Sequence, residues 1–178
     1  MPVGFLTPEQ ARRYGRFPGD PSPEQLARYF HLDDVDRTFV LSHRGTHMRF
    51  GCALQLGTVR FLGTFLEEPC DVPSGVIRFL SDQLGMGDAA SLDAYRTSPW
   101  RWRHRIEIRE RYAYCDFSDG RAQFRLNWWL YALCWTGTDR PSVLFDRATA
   151  WLVSHKVLIE VYQDFRRVRK QRYRHSLP

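Results

Sequence analysis

The strings TPEQ (7–10) and SPEQ (22–25) share one layout: a hydroxyl residue, then Pro, with Gln three residues after the hydroxyl. Ser or Thr at an N-cap, Pro at N1 and Gln at N3 is the capping-box start of an α-helix. Comparable punctuation recurs along the chain. LDDVDRTFVLSHR (32–44) opens with acids and closes with Arg, which suits the helix dipole. VPSGVIRFLSDQLG (72–85) runs to a Gly stop. RAQFRLNWWLYALCWTG (121–137) ends at Thr136-Gly137, and Pro141 starts SVLFDRATAWLVSHKVLI. No run of short alternating segments competes with these signals, so the chain reads as all-α, with about eight helices in two small lobes. The segment 121–135 is apolar nearly all round and is expected to be the most buried helix, with Trp128, Trp129 and Trp135 in the core.

One stretch resists. In WRWRHRIEIR (100–109) large or apolar residues alternate strictly with Arg and Glu, the period of a half-buried strand. Ser98-Pro99 is nevertheless a helix-start signal, and a lone strand cannot satisfy its backbone groups. The segment therefore reads as a helix. Its Arg101, Arg103 and Arg105 form either a solvated face or a set of phosphate contacts.

The 178 residues are 43% hydrophobic, enough for a packed core in one domain or two small ones. Of the 26 basic side chains, 24 are Arg. Residues 1–98 hold 10 Arg against 12 acids, whereas residues 99–178 hold 16 Lys and Arg against 8 acids. That asymmetry points the second half toward a polyanion. MPVGFLTPEQ lacks the basic and apolar regions of a signal peptide, and WWLYALCW is far too short to span a bilayer. A cytoplasmic location follows, with no membrane partner. Cys52, Cys70, Cys115 and Cys134 form no CxxC pair and read as buried small hydrophobes. His43 and His47 are separated by Gly45 and do not read as a metal pair. No nucleophile set or Gly-rich phosphate loop stands out, so no enzyme activity, metal or cofactor is expected.

Residues 43–66, HRGTHMRFGCALQLGTVRFLGTFL, carry four glycines in an oily stretch. Gly inside a helix costs about 0.5–1 kcal/mol relative to Ala, so Gly51 and Gly57 read as sites of close packing. Helix, short Gly-containing turn, helix is a helix-turn-helix layout, placed here at 33–63. Thr46, which can cap the second helix, and His47 and Arg49 fall in its first turn, where base edges are met. Arg44 and Arg60 would hold flanking phosphates. Alternatively, Arg44 and Arg49 bond helix C-terminal carbonyls or pair with Asp33, Asp34 or Asp36.

RGTHMRFGCALQLGTVRFLG resembles the N-terminal signature of the large replicative transposases of the Tn-three family, through Arg44, Gly45, Arg49, Gly51, Ala53, Gln55, Leu56, Arg60 and Gly63. The likeness continues through DVPSGVIRFLSDQLG, EIRERYAYCDF, AQFRLNWWLYALCW, RPSVLFDRATAWLV and SHKVLI, covering roughly residues 5–159. Met48 and His43 depart from it, standing where the family has Asn and often a second Arg. The family pattern also breaks at Ile159, leaving 160–178 as an unmatched basic tail with six Lys and Arg between Arg166 and Arg174. The resemblance implies an all-helical module that binds double-stranded DNA at transposon terminal inverted repeats, on the bacterial nucleoid, without the catalytic domain. Its candidate contacts are Arg44, Thr46, His47, Arg49, Arg60, Arg101, Arg103, Arg105, Arg121 and Arg125. The chain reads as two lobes, 1–97 and 98–159. A protein-interaction role is the rival: a truncated product that pairs with itself or with a full-length transposase and regulates it.

Overall fold

The computed structural model describes residues 15–86, 89–137 and 140–159. The helix expected from TPEQ and the basic tail lie outside the described residues. Among those described, the chain is all-α with eight helices. They are α1 (Pro23–Tyr29), α2 (Asp34–Leu41), α3 (Thr46–Leu62), α4 (Ser74–Leu84), α5 (Ala89–Arg96), α6 (Arg101–Tyr112), α7 (Gly120–Thr136) and α8 (Pro141–Ser154). Two two-residue strands, β1 (Cys115–Asp116) and β2 (Val157–Leu158), pair in parallel, with Cys115 opposite Val157. No described helix is long and apolar enough to cross a membrane.

Local chemistry sets the helix ends. Ser22 accepts from the Gln25 amide while Gln25 reaches back to the Ser22 amide, a complete capping box with Pro23 at N1. Asp33 and Asp36 repeat the reciprocal pattern on α2. Gly63 and Gly85 end α3 and α4 in the left-handed conformation, at φ 71° and 61°, which glycine adopts without the Cβ clash. Thr46 does not cap α3: Gly45 occupies the N-cap at φ 86°, and Thr46 is the first helical residue.

Helix α3 is the axis of the structure. Every residue from Phe50 to Val59 is buried, and α1, α2, α4, α5, α6 and α8 all pack against it. Two neighbours sit where a side chain would be. A Cβ on Gly51 would lie 2.4 Å from the Tyr95 ring, and one on Gly57 would lie 2.3 Å from the Phe30 ring. The missing Cβ groups let an aromatic ring from α5 and another from the end of α1 rest on the backbone of α3. That gain outweighs the intrinsic helix cost of glycine.

Hydrophobic packing divides into two clusters. The larger is centred on Phe30, Phe50, Leu54, Leu56, Leu80, Tyr95 and Ile108. The smaller joins Ala122, Leu126, Trp151, Leu152 and Val157. Helix α6, grouped with the second lobe on sequence, inserts His104 and Ile108 into the larger cluster, one turn apart. Gly63 is a joint between the clusters: its Cβ position lies 2.7 Å from Val153 and 2.9 Å from Ile159, and its carbonyl accepts from the Ile159 amide at 2.8 Å.

The expectation that 121–135 is the most buried helix is corrected. Among the residues of α7 whose burial is described, only Ala122 and Leu126 are buried, while Trp128 is 66% and Trp135 is 79% exposed. Only Trp129 of the three tryptophans packs against a core. Ala122 and Leu126 face α8 and Val157, and the opposite side of the helix remains in solvent. The cysteines divide similarly: Cys52 and Cys70 are buried, Cys115 is partly so, and Cys134 is exposed.

Candidate nucleic-acid interface

Between α2 and α3 the chain turns through residues 42–45. Arg44 and Thr46 are exposed there, and His47 and Arg49 are half-buried. Arg49 Nε donates to the His43 carbonyl at 2.8 Å, tying the first turn of α3 to the turn before it. This is the carbonyl-bonding alternative for Arg49, in geometry that still leaves it beside Arg44 and Thr46. The order helix, turn, helix is present. Because α3 is enclosed from Phe50 onward, it offers a nucleic acid its ends rather than a long face.

Arg60, expected as a phosphate contact, is committed elsewhere. Its Nη1 and Nη2 donate to the two carboxylate oxygens of Asp36, each at 2.8 Å. Asp36 is 2% exposed and also accepts from the Tyr112 hydroxyl at 2.6 Å. Burial alone would raise the Asp36 pKa, but the hydrogen bonds from Arg60 and Tyr112 outweigh it and hold the carboxyl below its ordinary value. The guanidinium is therefore a buried carboxylate's counter-charge, a role that competes with the phosphate contact expected of it.

Beside the turn lies α6, anchored by His43 Nε2 and Glu107 Oε2 at 2.9 Å. Glu107 also accepts from Arg103 Nε at 3.0 Å. The three arginines read as one basic face have separate roles. Arg101 pairs with Glu68 at 3.2 Å and bonds the Arg96 carbonyl. Arg105 donates to the Leu66 and Glu67 carbonyls and lies over the Trp102 ring at 4.4 Å. Both thus hold the segment after α3 against α6. Arg103 is the outermost, with its side chain 64% exposed and its guanidinium 5.1 Å over Trp100. Trp100, Trp102 and Ile106 are each about half exposed, so this edge of α6 is an arginine-aromatic ridge.

The buried side of α6 is a polar chain. Gln55 Nε2 donates to the Tyr95 hydroxyl at 2.6 Å, and that hydroxyl meets His104 Nδ1 at 2.8 Å. Burial, aided by nearby His43, drops the His104 pKa to about 4, and burial raises that of Tyr95. His104 therefore stays neutral at physiological pH. The ligand atoms of His43, His104 and Glu107 lie within 4.8 Å of one another, a set able to hold a metal ion.

Arg121 and Arg125 lie on α7, away from the turn. Both are exposed, and Arg125 sits 5.8 Å over Trp151. The structure brings Arg44, Thr46, His47, Arg49 and Arg103 to one end of the larger cluster, and leaves Arg60, Arg121 and Arg125 outside that group. Sequence reasoning missed two features. One is the His43–Glu107 link, which spans 64 residues and has no local signal. The other is the exposed stripe Phe124, Trp128, Tyr131 and Trp135, whose rings stack in succession at 6.2 and 6.0 Å from Trp128 onward. Its i, i+4, i+7, i+11 spacing opposite Ala122 and Leu126 was a legible signal for two distinct faces.

Comparison with known proteins places this architecture. A family described as a domain of unknown function, DUF4158, matches residues 5–171, so the likeness runs past Ile159 into the basic tail. The transposase for transposon gamma-delta of Escherichia coli strain K12 is 45% identical over 160 residues, covering 89% of this chain. The transposase for transposon Tn1546 of Enterococcus faecium is 28% identical over 167 residues, covering 92% of it. The chain spans 16% of the length of each of these relatives. With the family match extending over nearly its whole length, the chain belongs to the DUF4158 domain family.

Proposed function

We propose that this chain is a double-stranded DNA-binding module of a transposase, recognising the terminal inverted repeats of its transposon. The observation that carries this is the 45% identity to the gamma-delta transposase across 89% of the chain. The exposed turn at 44–46 supports the location of the contact. Arg44 and Arg103 would hold phosphates, and Thr46, His47 and the terminal nitrogens of Arg49 would approach base edges. Arg121 and Arg125 would add contacts from α7. On this reading the chemistry that the relatives' names imply lies in the remainder of their length, and this chain supplies binding at the bacterial nucleoid.

A gel-shift titration tests the reading, with the element's own terminal repeat against a scrambled duplex. The repeat is expected to bind at least tenfold tighter. Arg44→Ala should weaken binding and lower the log–log salt slope by about 0.9, the value of one phosphate contact. Equal affinity for both duplexes would sink sequence recognition.

The aromatic stripe of α7 favours a second reading, in which the chain pairs with itself or with a full-length transposase. Size-exclusion chromatography with and without the full-length partner distinguishes the two. Co-elution abolished by Trp128→Ser, with DNA affinity unchanged, would establish the pairing.

A further inference from the structure

His43, His104 and Glu107 come from two parts of the chain and converge at one point. His43 stands in the turn after α2, and His104 and Glu107 are three residues apart on one face of α6. His43 Nδ1 lies 3.0 Å from the Phe39 carbonyl oxygen and 3.2 Å from that of Val40. A ring nitrogen facing carbonyl oxygens carries the hydrogen. Its Nε2 then presents a lone pair, 2.9 Å from a carboxylate oxygen of Glu107. Two lone pairs at that distance repel unless a cation lies between them. His104 Nδ1 meets the Tyr95 hydroxyl, a group that can donate as well as accept; the tautomer with its hydrogen on Nδ1 leaves Nε2 as the donor atom. The other Glu107 oxygen is held by Arg103.

We propose that His43, His104 and Glu107 form a binding site for a borderline divalent transition metal, zinc or cobalt, that clamps the α2–α3 turn to α6. Two imidazoles and one carboxylate suit such an ion. Zinc lies about 2.0–2.2 Å from such donors, which sets tetrahedral donor atoms roughly 3.3 Å apart. The separations here, 2.9 Å for one pair and no more than 4.8 Å for any, bracket that value. Each ligand is oriented by a second bond: His43 by the Phe39 carbonyl, His104 by Tyr95, and Glu107 by Arg103. Such outer contacts fix ring orientation at metal sites. The clamp would hold the turn that carries Arg44 and Thr46, whether or not that turn contacts DNA.

Titration of the full chain, stripped with EDTA, with Co²⁺ tests the site. The expected result is one equivalent bound, with visible d–d absorption in the tetrahedral range, bleached by Zn²⁺ and accompanied by a higher melting temperature. His43→Asn and Glu107→Gln should each weaken Co²⁺ binding at least tenfold with an unchanged circular dichroism spectrum. His47→Asn and His155→Asn should leave it unaltered. No stoichiometric Co²⁺ spectrum in the wild-type chain would overturn the proposal and leave a proton as the bridging cation. Binding that survives both ligand substitutions would overturn it equally.

Discussion

Arg60→Ala separates a structural arginine from a DNA-binding one. The substitution removes both 2.8 Å hydrogen bonds to Asp36 and the nearby positive charge. Asp36 is left 2% exposed, with Tyr112 Oη at 2.6 Å and its own helix-start bond to the Asp33 amide as remaining partners. Breaking a buried pair by removing one partner costs about 3–5 kcal/mol, because the surviving charge stays out of water. The Arg60 side chain is 24% exposed, so water can enter the vacated space and the lower end applies, about 3 kcal/mol. For a chain of this size that lowers the melting temperature by about 6–12 °C. Urea denaturation followed by circular dichroism gives the value directly. Asp36→Asn in the Arg60→Ala background removes the stranded charge and is expected to recover part of the loss, so the double-mutant cycle reports the pairing itself. A change below about 0.5 kcal/mol, the range of an ordinary surface substitution, would refute the reasoning. Combined with a lower salt slope in DNA binding, it would return Arg60 to the phosphate role.

Three further outcomes follow from the packing and the buried ionisable groups. Gly57→Ala puts a methyl 2.3 Å from the Phe30 ring and is expected to cost about 1–3 kcal/mol through overpacking; a neutral urea midpoint would contradict the close contact. Trp135→Ser, at a residue 79% exposed, should leave the midpoint within about 0.5 kcal/mol, whereas a core tryptophan would lose several times that. His104 drops from an ordinary 6.5 to about 4 on folding, chiefly through burial, so the unfolded chain binds more protons between those values. Its contribution, about 3 kcal/mol, is whole above pH 6.5 and is lost as pH falls through 4. Asp36, also lowered, adds a loss of the same sign in more acid solution. Urea midpoints of the metal-free chain at pH 7, 5 and 4 should therefore decline steadily, and a flat series would refute the burial.

The sequence by itself determined the local architecture. The capping box at Ser22, the acids at Asp33 and Asp36, and the stops at Gly63 and Gly85 act within one helical turn, so the residues that specify those ends are also the ones that form them. The alternation at 100–109 was resolved correctly as helix for a comparable reason: a strand needs a partner, and a helix satisfies its own backbone. The transposase likeness was also legible, since it resides in the order of residues. What each helix packs against was decided only in three dimensions. Helix α3 and α7 are both rich in apolar residues, yet α3 is enclosed along Phe50–Val59 while α7 leaves Trp128 and Trp135 in solvent. Burial depends on how many neighbours arrive, and composition does not count them. The same holds for charge. Arg60 finds Asp36 across 24 residues, and His43 finds Glu107 across 64. An arginine or histidine looks alike in sequence whether it faces a phosphate or a buried carboxylate, and only the folded chain supplies the partner that distinguishes them.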